Sequence, residues 1–112
     1  MRKRIADRRL RDRVPLEVEL FEVTKRGVAP ARSTNISESG ICYTGSAFAP
    51  RVDGEEVVLR FRLPGEAKQI ELLGAVADER CLASTSETFV MFVWPRDEDV
   101  RRIRDYIEFV SR

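Results

Sequence analysis

Histidine is absent from the 112 residues, and with it go the commonest general base, the Ser-His and Cys-His nucleophile pairs and a usual ligand of metal shells. That gap does not exclude catalysis, but no motif in the chain asks for it, and a non-enzymatic role is expected. Cysteine occurs only twice, as Cys42 and Cys81, too sparse for a disulfide framework or a zinc site. Each is expected to be a small buried apolar residue, and neither metal nor cofactor is expected. No run of 18 or more apolar residues is present, so no transmembrane segment is read, and the Arg-rich start lacks the apolar stretch of a signal peptide. A cytoplasmic location follows as an expectation.

Net charge is also nearly absent, at +1, but it is unevenly spread. Residues 1–13 hold seven Lys or Arg against Asp7 and Asp12, leaving the other 99 residues at -4. Such an arm attracts a phosphate-bearing partner: a nucleotide, a nucleic acid or a membrane surface. With almost no apolar content it is expected to stay flexible until something orders it. A chain of this length, 43% hydrophobic and 35% charged, makes one globular domain with one modest core.

From Val14 the pattern changes. Leu16, Val18 and Leu20 alternate with Glu17 and Glu19, which predicts a half-buried strand to about Thr24. Lys25-Arg26-Gly27 reads as a turn and Val28 to Ile36 as the returning strand, with Pro30 marking an edge or a bulge. Further strands are predicted over Ile41–Thr44, Val57–Leu63, Gln69–Asp78 and Phe89–Trp94, with Ser84 to Thr88 as a polar connection. Trp94 and the phenylalanines are expected in the core, and Arg32, Arg60 and Arg62 on the solvent side. Val100, Ile103, Ile107 and Val110 recur three and four apart, predicting a helix from Pro95 to about Ser111 with Asp97, Glu98 and Asp99 at its positive end and Arg101, Arg102 and Arg104 on its polar face. Six or so strands and a helix suit a small antiparallel barrel capped at one end.

Two short patterns carry the chemistry. Arg9-Leu10-Arg11-Asp12-Arg13 runs directly into Val14-Pro15-Leu16, and Asn35-Ile36-Ser37-Glu38-Ser39-Gly40 follows one hairpin later. Arginine forks grip phosphates or the O6/N7 edge of guanine, or stack on its face. Asn35 and Ser37 offer short polar contacts to a base or ribose. Gly40 either takes a backbone angle closed to other residues or lets a ligand approach the main chain. Together they read as a site for a guanine nucleotide.

RxxxR followed by [D/N]xSxxG resembles the signature of the PilZ family, β-barrel receptors for the bacterial second messenger cyclic di-GMP, and the likeness runs the length of the chain. Arg4 and Arg8 also fit RxxxR but stand out of register with Val14-Pro15-Leu16. The resemblance implies a six-stranded antiparallel barrel over 14–112 with a C-terminal helix, a basic arm over 1–13, and cyclic di-GMP bound by Arg8, Arg9, Arg13, Asn35, Ser37 and Gly40. Asn35 stands where many members carry Asp, a stronger acceptor. Arg8 immediately before RxxxR implies two stacked ligands per chain rather than one. The output would pass to a protein effector controlling motility, exopolysaccharide, biofilm or virulence functions. Two other readings compete. One is a nucleic-acid-binding barrel using the basic arm, disfavoured by the acidic balance beyond residue 13. The other is an adaptor that has lost its nucleotide, disfavoured by the intact motifs.

Overall fold

The computed structural model describes residues 13–46, 51–81 and 84–112, so the expected arm, apart from Arg13, lies outside the described residues. The strand expected from Val14 to Thr24 is broken into β1 (Val14–Pro15) and β2 (Glu19–Thr24). Ser33 holds the break together: its hydroxyl donates to the Leu16 carbonyl and accepts the Val18 amide at 2.9 Å. After β2 the chain turns at Lys25-Arg26 onto Gly27, whose φ of 121° is open to glycine and strained for side-chain-bearing residues. β3 (Gly27–Ile36), β4 (Gly40–Ser46), β5 (Glu56–Phe61), β6 (Ile70–Cys81), β7 (Thr85–Phe92) and α1 (Asp97–Ser111) follow.

All pairings are antiparallel. The ring β3-β2-β5-β6-β7-β4 closes through β3 and β4 into a six-stranded barrel, and β1 adds to β3 as an extra strand. Closure removes most of the sheet edge that would otherwise invite aggregation, leaving β1 and the Gly27–Ala31 part of β3 paired on one side only. Pro30 lies beyond the last β3–β4 pair, Arg32 with Thr44, where β3 has only β2 beside it. The edge reading of Pro30 is therefore correct, and the bulge is elsewhere, at Thr34.

Alternate residues fill the interior: Leu20 of β2, Val57, Leu59 and Phe61 of β5, Ile70, Leu72 and Val76 of β6, and Val90 of β7. Each contributes about 1.5–3 kcal/mol relative to an exposed side chain. Gly74 sits in this lining because a Cβ there would collide with Val90 Cγ1. Ile103 and Ile107 of α1 join the same core. The helix is fastened at four places, one of them the Lys68–Glu98 ion pair at 2.7 Å. Arg102 pairs with Glu66 and Asp99, Arg104 meets Glu38 at 3.2 Å, and the Tyr106 hydroxyl donates to the Pro15 carbonyl at 2.8 Å. Arg102 is thus largely covered rather than a free charge of the polar face.

Four expectations fail. Of the described phenylalanines only Phe61 is fully buried; Phe109 is 69% exposed, and Phe21 faces outward because it stands between the inward-facing Leu20 and Glu22 of β2. Ser84 to Thr88 is no mere connection: Thr85 begins β7, and Ser86 and Thr88 are buried inside the barrel. Polar residues there answer a polar interior, since Thr88 donates to Glu79 at 2.9 Å. Trp94 is 93% exposed with φ 48°, because β7 ends at Phe92 and the chain must turn before α1. Cys81 is exposed while Cys42 is buried; Cys81 ends β6, whose last five residues are mostly uncovered.

A buried ionic cluster lies under the barrel mouth. Glu22, 2% exposed, accepts Tyr43 Oη and two nitrogens of Arg51, Nε at 2.8 Å. Glu79 accepts the Arg51 amide, Arg51 Nη1 and Thr88 Oγ1. Every carboxylate oxygen in it has a partner, the condition for burying charge at all.

Candidate functional site

The fold explains how two motifs 22 residues apart become one surface. β1 pairs Val14 with Ile36 and Pro15 with Asn35, so Arg13 enters the barrel wall beside the second motif. Two bulges then set which side chains face outward. Between Ser33 and Asn35 the β3–β4 register slips, so Ser33 pairs with Tyr43 but Asn35 pairs with Cys42. Between Val76 and Asp78 the β6–β7 register slips likewise, and Asp78 pairs with Phe89. A one-residue slip exchanges the faces of a strand. Asn35, Cys42, Phe89 and Asp78 consequently form one row across four strands, while Ser33, Tyr43, Thr88 and Glu79 form the adjacent row facing inward.

Arg13 covers the outer row. Its Cζ stands 4.8 Å from the centroid of the Phe89 ring, a cation–π contact worth about 0.5–2 kcal/mol depending on desolvation. Arg13, Asn35, Cys42 and Phe89, with Asp78, Arg80 and Glu87, line a cavity of about 180 Å³. Within this wall Arg13 Nε and Asn35 Oδ1 are buried without a hydrogen-bond partner among the described residues. Burying such atoms unmet costs about 1–3 kcal/mol each, which a fold tolerates where a ligand supplies the partner. Burial raises the Cys42 thiol above its ordinary value; Arg13 opposes the shift, and Glu87 and Asp78 reinforce it.

Ser37 and Gly40 build the turn that presents Asn35. Ser37 is buried; its hydroxyl accepts the Ser39 amide at 3.2 Å and its own amide donates to the Gly40 carbonyl at 2.8 Å. Such a side-chain turn is the usual local use of serine. The backbone-angle reason expected for Gly40 does not apply, and the structure shows another. Its φ is not positive, and a Cβ would strike the protein itself, Val90 O at 2.5 Å and Phe89 Cζ at 2.8 Å. Gly40 therefore seats the ring on which Arg13 rests.

Arg8 and Arg9 lie outside the described residues. Asp78, Arg80, Glu87 and Phe89 escape sequence reasoning: Phe89 is expected in the core, Asp78 reads as the end of a strand, and Arg80 and Glu87 fall outside the predicted strands, Glu87 in the Ser84–Thr88 connection. A larger cavity, of about 330 Å³, opens at the barrel mouth between the β2–β3 hairpin and the Glu22–Arg51 pair. It contains no motif residue, and size alone does not make it the site. Among the described residues no group of His, Cys, Asp and Glu could hold a metal ion, and no helix is long and apolar enough to cross a membrane.

No family sequence model and no curated protein matches the chain. Solved structures do. The PilZ domain of YcgR from Escherichia coli, determined with c-di-GMP, superposes with a TM-score of 0.71 over 88% of this chain and 88% of its own, at 11% identity. The fold is that of a PilZ domain. The PilZ-type barrel also matches the inhibitor of motility MotI of Bacillus subtilis, with a TM-score of 0.79 and 19% identity, and the MrkH–c-di-GMP complex of K. pneumonia, at 0.69 and 17%. The chain spans about half of each of these two, 49% and 50%, while 88% of this chain is covered. At such identities the likeness is one of fold, and the residues above must carry the rest.

Proposed function

We propose that this PilZ-type chain is a non-enzymatic receptor for cyclic di-GMP. The carrying observation is the outer row, in which Arg13 lies on Phe89 and the buried Arg13 Nε and Asn35 Oδ1 have no partner among the described residues. YcgR and MrkH, solved with c-di-GMP on the same fold, support the choice of ligand. Arg9 and Arg13 grip the phosphates and a guanine, Asn35 meets a base edge, and Ser37 and Gly40 act through the turn and the ring they hold. Arg8 brings a second, stacked ligand, its guanidinium lying over an exposed guanine. The basic arm orders on binding, and the altered surface engages a protein effector in the cytoplasm. Motility control is the favoured output, with exopolysaccharide, biofilm and virulence control as the wider class.

A nucleic-acid role fits this cavity less well, since Asp78 and Glu87 would face a polyanion. Calorimetry against cyclic di-GMP, GTP and a DNA oligonucleotide tests the assignment. Cyclic di-GMP alone should bind tightly, with two ligands per chain. Arg13→Ala should weaken binding by about 2–5 kcal/mol, the cost of removing a desolvated charged contact, and Arg8→Leu should reduce the stoichiometry to one. Unchanged affinity in both Arg9→Ala and Arg13→Ala would remove the receptor reading.

A further inference from the structure

The outer row contains something that a site for phosphates alone would avoid. Asp78 and Glu87 put two carboxylates into a cavity whose cations are Arg13 and Arg80. Glu87 is partly engaged, with Arg80 Nη1 at 3.9 Å from its carboxylate. Asp78 stands in the row itself, on the far side of Phe89 from Asn35. It faces outward only because of the register slip at Ala77. Without that slip, alternation from the inward-facing Val76 would turn residue 78 into the barrel. Such a bulge forfeits ladder pairing and is commonly used to re-aim a side chain.

Guanine gives this arrangement a purpose. Its Watson–Crick edge presents two donors, N1–H and the N2 amine, beside the O6 acceptor; adenine presents an N1 acceptor and an N6 amine. A carboxylate accepts both guanine donors side by side, and a guanidinium donates to O6 and N7. Asn35 supplies one neutral acceptor, Oδ1, which is unpartnered among the described residues. We infer that Asp78 is the base-selecting residue of this site: its carboxylate takes the N1–H and N2–H edge of a guanine and so provides the charged acceptor that Asn35 does not. The inference rests on the cyclic di-GMP reading above and assigns its base specificity to a residue outside both sequence motifs.

The sign of one substitution decides it. Asp78→Asn removes a negative charge close to where two phosphates would sit, so a mere surface carboxylate would leave binding unchanged or tighten it by relieving repulsion. A base-selecting Asp78 gives the opposite result. Calorimetry on the full chain should show cyclic di-GMP binding weakened roughly 10- to 100-fold, the loss expected for hydrogen bonds to a charged acceptor. Cyclic di-AMP, the adenine counterpart, should bind unchanged or more tightly. Asp78 is exposed, so the variant's thermal midpoint should match the parent's, and a shifted midpoint accompanied by equal weakening of both ligands would make the role structural and overturn the inference. Unchanged or tighter binding of cyclic di-GMP would overturn it too, while leaving the receptor reading in place. A parent that binds no cyclic di-GMP would remove the receptor reading, and this inference with it.

Discussion

Two neighbouring rows of the same four strands handle polarity in opposite ways. The inward row continues into Glu22 and Arg51, where each carboxylate accepts three hydrogen bonds. The outward row, one residue along β4, β6 and β7 and two along the bulged β3, leaves Arg13 Nε and Asn35 Oδ1 with none among the described residues. Both contain arginine and carboxylates, so composition does not separate them. Completeness does: a saturated cluster specifies the fold, and an unsaturated one waits for a partner. The two also respond differently to change, since breaking a buried pair strands a charge, whereas altering the outer row touches chiefly what binds there.

The largest effect expected is on the inner row. Arg51→Ala leaves Glu22 and Glu79 buried and facing each other unneutralised, so unfolding in denaturant should show a loss of about 3–5 kcal/mol, with nucleotide affinity of the folded fraction unchanged. Lost affinity at full stability would erase the distinction between the rows. Gly40→Val tests the place where they are coupled. The added side chain must displace Phe89 or the β7 backbone, at about 1–3 kcal/mol of stability, and ligand affinity should fall with it because Arg13 loses its seat. Normal binding by a fully stable Gly40→Val protein would contradict the role given to Gly40.

The smallest effect is one of pH. Burial first, and then the Glu22 carboxylate, push the Tyr43 hydroxyl far above its ordinary value of about 10. A group raised in the folded state contributes stability that is fully present below its unfolded pKa and is lost as pH rises beyond it. Stability should therefore hold to about pH 10 and decline above it. Tyr43→Phe should make that decline shallower, followed by thermal melts across the alkaline range. An ultraviolet titration in which Tyr43 ionises near its ordinary value without unfolding would show that the inner row is open to water.

Much of this was legible in the residues. Period-two alternation located β2, β5 and β6, three-and-four spacing located α1, and the two motifs pointed to a fold that no family sequence model detects. The misreadings share a physical origin. Ser86 and Thr88 are polar yet buried, and they serve Glu79 and its neighbours, so a strand half looked like a loop. The exposed Trp94 finished an apolar run whose strand had already stopped. The bulges at Thr34 and Ala77 left no trace because a single-residue slip alters facing without altering composition. Asp78 was invisible for that reason: on unbroken alternation it belongs to the other side of the wall.

Gly74 has a larger consequence than its size suggests. Where a methyl group would collide with Val90, the barrel is a solid post rather than a cup, and the mouth cavity ends on the ionic cluster above it. The outward row of Asn35, Cys42, Phe89 and Asp78 therefore stands on a filled interior. A filled interior fixes the architecture through packing alone, which is how one barrel is shared by chains that agree at only 11% to 19% of positions.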